Sequence, residues 1–253
     1  MFDIEKIKLP AKHIIAVASG KGGVGKSSIV TNMAYILGAN METVYIVDAD
    51  LSLGNIDIFF GMTPRFNIKD LIEGKKGINE IVVEGPNGIR FIPATSGIAE
   101  LSSLTDDQRN ILLSSLHELN GYDFMLIDTP AGISSNVIYF NSISESIYIV
   151  VTPDPASITD SYAVLKVLHN KTGRKDFNII VNMAKDEAEA LSIYRKLLSV
   201  TDQFLNIYLD YVGYIPVDAN IRIATKKQKL WTEYYPDTPA TKALVKICNK
   251  MVS

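Results

Sequence analysis

Gly20 to Ser27 reads GKGGVGKS: a glycine, four residues, then Gly-Lys-Ser. These residue types at this spacing are suited to holding a polyphosphate. Gly20, Gly22, Gly23 and Gly25 let successive backbone N–H groups, with that of Val24 among them, turn toward phosphate oxygens with no Cβ in the way. Lys26 is expected against the β- and γ-phosphates, and Ser27 is expected to offer its hydroxyl to Mg²⁺. Ser28 follows and joins the expected nucleotide-binding set. Lys21 is a surplus cation, because one ammonium group suffices to cradle a phosphate. Further polar groups of such a site stand at the ends of apolar runs. VYIVDADLSLGNID carries Asp48 and Asp50, two positions apart and so on one side of a strand, and MLIDTPAGI carries Asp128 in a similar place. Carboxylates crowded at one strand edge repel unless a cation shares the site, a role suited to Mg²⁺.

The elements that must position these groups are legible as a rhythm. Short apolar, β-branched runs occur at 14–19, 43–50, 123–129, 146–153, 178–183 and 211–216, and helical patterns at 26–38, 105–119, 157–170, 187–200 and 238–251 separate most of them. Near-continuous apolar strands alternating with helices predict a doubly wound, mostly parallel α/β sheet flanked by helices. One insertion, 78–94, has two strand-like runs around Gly-Pro-Asn-Gly and predicts a hairpin or an edge excursion. The expectation is a single domain over 1–253, with an N-terminal extension at 1–12 and a C-terminal helix at 238–253.

Composition narrows the function classes. Hydrophobic residues make up 47% of the chain and charged ones 21%, which fits a globular protein with a large core. The net charge of -3 argues against nucleic acid as a partner of the whole chain, so DNA binding is not expected. TKKQK (225–229) is the one dense basic run, and it reads as a solvated helix end. A single cysteine, Cys248, excludes an internal disulfide framework and any CxxC metal or cluster site within one chain. MFDIEKIKLPAKH lacks the apolar core of a signal peptide, and no apolar run is long enough to span a membrane. The expected location is cytoplasmic, with a peripheral position at the inner face of the membrane or at a cell pole left open.

KGGVGKS resembles the deviant Walker A motif of the MinD/ParA family of P-loop ATPases. The resemblance implies the P-loop NTPase fold of that group (SIMIBI, MinD-like), ATP and Mg²⁺ as cofactors, and a homodimer in the ATP state. It also implies roles. Lys21 reaches across the dimer to the partner's nucleotide and Lys26 holds the phosphates of its own. Asp50 orients the attacking water. Asp48 holds waters of Mg²⁺, and Asp128 faces the metal together with Ser27. Asn55 and Gly132 sense the γ-phosphate. Asn182 and the Pro216-Val217-Asp218 segment stand where family members hold adenine, although a turn asparagine and a helix cap at Asp218 explain the same residues.

Further stretches, DADLSLGNIDIFFGMTP, EGPNGIRFIPATSGIAEL and VVTPDPASITDSYAVLKVL, look like the branch of flagellar-number regulators called FlhG or FleN. That likeness implies slow, regulatory ATP hydrolysis and partners: an FlhF-type SRP GTPase, flagellar switch (C-ring) proteins or a flagellar transcriptional activator. A partition-type ParA or division-type MinD acting on DNA or membrane is the alternative. The segments 61–74 and 134–143 follow the γ-phosphate-sensing stretches and either present a partner surface or pack on the sheet. Ala240, Ala243, Leu244, Ile247, Cys248 and Met251 form one apolar helical face, which serves either as packing on the sheet or as reversible membrane contact.

Overall fold

Residues 14–18, 44–48, 124–128 and 147–151 are apolar or end in one acidic residue, and each is buried on both faces. Such runs form central parallel strands. The computed structural model describes residues 9, 12–51, 53–94, 101 and 103–252. Strands β1 (His13–Ala18), β2 (Val44–Asp48), β3 (Val83–Glu84), β4 (Arg90–Ile92), β5 (Phe124–Asp128), β6 (Ser146–Val151), β7 (Asp176–Ala184) and β8 (Tyr208–Pro216) lie in one sheet, in the order β3-β4-β2-β5-β1-β6-β7-β8. All neighbours run parallel except β3 against β4. The expected doubly wound, mostly parallel sheet is the observed one.

Helices cover both faces, and the two-residue period of the strands sorts their side chains between them. Ile15 and Val17 join α1 (Lys26–Ala39) and α11 (Pro239–Val252) in one core. Ile14 and Ala16 face the opposite layer, with α5 (Asp106–Glu118) and Phe140 of α6 (Ser135–Ser142). Ala18 and alternate residues of β6 pack on α7 (Pro155–Thr172) and α8 (Glu187–Phe204). The chain leaves β1 toward β2 on one side and returns to β6 on the other, so β1 stands at the switch point of the sheet. In doubly wound folds the crevice beyond the carboxyl ends of such strands takes the ligand.

Several local features differ from the sequence expectation. Within 78–94 the hairpin is β3–β4, but its first run, Ile78–Ile81, is a helical turn, α4. α3 (Ile68–Ile72), after the first aspartate stretch, buries Ile68 and Leu71, with Phe66 and Ile72 packed alongside. Within 61–74, Ile68 and Leu71 are core, and Met62, Phe66 and Ile72 are partly buried against it. The apolar face of α11 is core too: Ala240, Leu244, Ile247 and Cys248 are fully buried against the sheet. Of the expected N-terminal extension, only Leu9, which is buried, and Lys12, which pairs with Asp123 at 2.5 Å, fall among the described residues.

Candidate functional site

The turn from β1 into α1 is the glycine-rich stretch, and its neighbours dictate two of its glycines. A Cβ at Gly20 would lie 2.2 Å from the carbonyl carbon of Asp160 in α7. Gly25 has φ of 91° and sits where a Cβ would come within 2.4 Å of Asn182 Nδ2. That amide, at the end of β7, donates to the Val24 carbonyl at 2.7 Å, and the Met183 N–H donates to its Oδ1 at 2.9 Å. The loop is thus held from outside by two elements more than a hundred positions away in sequence.

Beneath the loop lies a group of buried charges. Lys26 Nζ donates to Asp128 Oδ1 at 2.9 Å, with both side chains buried. Asp128 closes β5 and stands in register beside Asp48, which closes β2. Asp48 is buried and accepts N–H bonds from Asp50 (3.2 Å), Asn55 (2.9 Å) and Ile56 (3.2 Å). Burial, followed by the charge of Asp128, pushes its carboxyl up to about 8 despite those bonds. The strand ends at Asp48, so the two-residue strand period does not bring Asp50 to its side. The turn after β2 does so, through the Asp50 N–H and the return of Asn55. Asp50 also accepts the Leu53 N–H at 3.2 Å.

Whether these residues fit a divalent cation can be judged from their unmet bonds. Asp128 Oδ2 and Asn55 Oδ1 are buried and without a hydrogen-bond partner. Two carboxylates in register, one with an unsatisfied buried oxygen and the other resisting ionisation, form a site that a cation would relieve. Among the described residues no cluster of three or more His, Cys, Asp or Glu could hold a metal ion. Mg²⁺ is the cation that such a set fits, since it takes one or two carboxylates and completes its shell with water and phosphate oxygens.

Above the loop opens a cavity of about 920 Å³. Lys21, Gly22, Gly23, Val24, Gly25, Lys26, Ser27, Ser28, Asp50 and Asn55 line the end at the glycine-rich loop, and Asn182, Pro216, Val217 and Asp218 also line the cavity. Asp218 also caps α9 (Ala219–Lys226) by accepting the Asn220 N–H at 2.8 Å, so the cap and the pocket-wall readings both hold. Asp48 and Asp128 are buried, and neither they nor Gly20 and Gly132 are among the lining residues. The Gly132 N–H donates to the Ser19 carbonyl at 2.9 Å, which ties the segment after β5 to the start of the loop. Lys21 forms a half-exposed ion pair with Asp154, the N-cap of α7, and this pairing raises its ammonium above the usual lysine value.

Motif spacing did not mark the far wall. α9 contributes Ile221, Arg222, Thr225 and Lys226, and α10 (Trp231–Tyr234) contributes Trp231. Trp231 Nε1 donates to Ser28 Oγ at 3.1 Å, and Thr232 donates its N–H and hydroxyl to Asn32 Oδ1 at 3.0 and 2.8 Å. Asn32, on α1, is fully buried. Its position one turn after Ser28, within the mostly apolar run from Ile29 to Leu37, was the available signal, because a buried amide must find partners.

A phosphate loop between the central strand and a helix, carboxylates at neighbouring strand ends, and an adjoining cavity define a P-loop nucleoside-triphosphate-binding protein. Residues 12–181 match a family model described as an AAA domain. The antiactivator FleN of Pseudomonas aeruginosa is 36% identical over 242 residues, spanning 95% of this chain and 86% of that one. The flagellum site-determining protein YlxH of Helicobacter pylori is 31% identical over 241 residues, 94% of this chain and 81% of that one. Among solved structures, the septum site-determining protein MinD of Pyrococcus horikoshii, complexed with Mg-ADP, superposes with a TM-score of 0.76 at 21% identity, covering 94% of this chain and 95% of that one. The chain belongs to the MinD/ParA family of P-loop ATPases.

Proposed function

We propose that this chain is a Mg²⁺-dependent ATPase switch that dimerises with ATP bound, hydrolyses it slowly and, as a dimer, regulates flagellar number or placement through partner proteins. The observation that carries this reading is the similarity to FleN over 95% of the chain, with the phosphate loop intact within it. We read 1–253 as one ATPase domain working in the cytoplasm. The partners in this reading are an FlhF-type GTPase, flagellar switch proteins or a flagellar transcriptional activator.

The chain's own residues supply the mechanism. Backbone N–H groups of 20–27 and the ammonium of Lys26 would bind the β- and γ-phosphates, with Lys26 shared between them and Asp128. Ser27 and Asp128 would hold Mg²⁺, with Asp48 on its waters, and the bound ion would supply positive charge beside the phosphates. Asp50, at the cavity wall, is the carboxylate that would orient water for attack on the γ-phosphate. Asn55 and Gly132 would respond to that phosphate. Gly132 can do so by giving up its bond to Ser19, which would shift the start of α6. Lys21 would leave Asp154 to meet the nucleotide of a second copy, offsetting the charge that two facing triphosphates bring together. With one carboxylate to position water and no group supplied by a partner protein, intrinsic turnover should be slow.

Light scattering after size exclusion tests the switch. The chain should be monomeric in ADP and dimeric in a non-hydrolysable ATP analogue, and Lys21→Ala should bind ATP yet stay monomeric. A Lys21→Ala protein that dimerises normally would remove the trans role of this lysine. Pull-downs with an FlhF-type GTPase, flagellar switch proteins, double-stranded DNA and acidic liposomes in each nucleotide state test the partners. Capture of DNA alone would replace the flagellar reading with a partition-type one.

A further inference from the structure

The far wall of the cavity ends on Trp231, the chain's only tryptophan, which is buried. Its indole N–H donates to Ser28 Oγ at 3.1 Å. An indole nitrogen can only donate, whereas a serine hydroxyl has one hydrogen and two lone pairs. The direction of this bond is therefore fixed, with Ser28 as the acceptor. Among the described residues the Ser28 hydroxyl has no second partner that could take its own hydrogen. Ser28 lines the cavity two positions after Lys26. Both ends of the contact are held in place: Asn32 Nδ2 donates to the Ser28 carbonyl at 2.7 Å, while Asn32 Oδ1 accepts from the N–H and hydroxyl of Thr232, next to Trp231.

We propose that Trp231 is a positioning residue for phosphate binding, which occupies a lone pair of Ser28 Oγ and so aims the Ser28 O–H into the cavity as a donor to a phosphate oxygen. Phosphate oxygens at neutral pH accept hydrogen bonds, so the polarity matches. A bond received by the hydroxyl oxygen also polarises its O–H and strengthens the bond it gives. The far wall thereby orders a donor at the phosphate end, although no indole atom need touch the phosphates. The inference rests on the nucleoside-triphosphate reading of the cavity.

Calorimetric titration of wild type, Trp231→Phe, Ser28→Ala and the double variant with ATP, and with adenosine by competition, tests it. Trp231→Phe keeps an aromatic ring and deletes the N–H. It should weaken ATP binding roughly fivefold, the worth of one hydrogen bond, and leave adenosine unchanged. On the Ser28→Ala background the same substitution should cost less than about twofold, because the two act through one bond, and Ser28→Thr should retain wild-type coupling. Equal losses for ATP and adenosine would reduce Trp231 to wall packing, and losses that multiply in the double variant would overturn the proposal as well. If circular dichroism shows Trp231→Phe unfolded, global replacement of tryptophan by benzothienylalanine deletes the N–H at this single position with the bicyclic ring kept, and the same outcomes apply. A wild type that binds no ATP would overturn the nucleotide reading itself. A wild type that binds ATP as tightly as Trp231→Phe overturns only the role of the indole.

Discussion

The two ends of the cavity are built by different means. The end read as the phosphate site is local: eight consecutive residues, from the turn after β1 into the first turn of α1, would supply its backbone donors, and buried charge lies directly beneath them. The far wall is assembled from distant pieces, with Trp231 and Thr232 meeting Ser28 and Asn32 across 200 or more positions. The first uses ionic groups whose partners sit at strand ends. The second uses neutral groups whose partners are fixed by helix packing. Loss of one partner should hurt more at the phosphate end, because an unpaired buried charge costs more than an unpaired buried dipole.

Lys26→Ala is the largest test of that contrast. It should remove about 2–5 kcal/mol of ATP affinity, the typical loss when one partner of a desolvated charge pair is truncated, as read by calorimetry. Near wild-type affinity would mean that the phosphates lie elsewhere. Asp50→Ala separates chemistry from binding at the same end. Turnover should fall on the order of 10²-fold while ATP affinity and the ATP-bound dimer persist. Steady-state hydrolysis equal to wild type would move the water-orienting role to another group.

Asn32→Ala addresses the far wall. It leaves the Thr232 N–H and hydroxyl without their acceptor in a buried site, so chemical denaturation should show about 1–3 kcal/mol lost, with ATP affinity weakened as the wall loosens. A stability loss with an unaltered cavity would show that the wall is held by its apolar contacts alone. Gly20→Ala asks whether the loop depends on α7, since its Cβ would enter the Asp160 backbone. A loss of about 1–3 kcal/mol is expected, as for other overpacked sites. Asp154→Asn is the smallest. It weakens an exposed pair with Lys21, so thermal stability should stay at the wild-type value, as is usual for surface ion pairs.

Much of this was legible in the chain. The spacing of Gly20, Gly25, Lys26 and Ser27 marked the loop, and apolar runs ending in Asp48 and Asp128 marked the strands beside it. What failed was inference across a strand end: Asp50 reaches the site through a turn, since β2 stops at Asp48. The apolar residues of 61–74 and the face of α11 had two readings each. An apolar face looks the same in sequence whether it is covered by the sheet or by a partner; the fold buries Ile68 and Leu71 of the first and Ala240, Leu244, Ile247 and Cys248 of the second in the core.

The sequence by itself determined the phosphate loop, the alternation of strands and helices, and the family. The first two are carried by backbone chemistry or periodicity within about twenty residues, and the family by similarity along 95% of the chain. Only the tertiary structure decided which carboxylate Lys26 meets, which amide props Val24 and which indole meets Ser28. Those contacts join elements 102, 158 and 203 positions apart. Their geometry follows from how helices seat on the sheet, a property of the packed core as a whole that no short stretch of residues encodes.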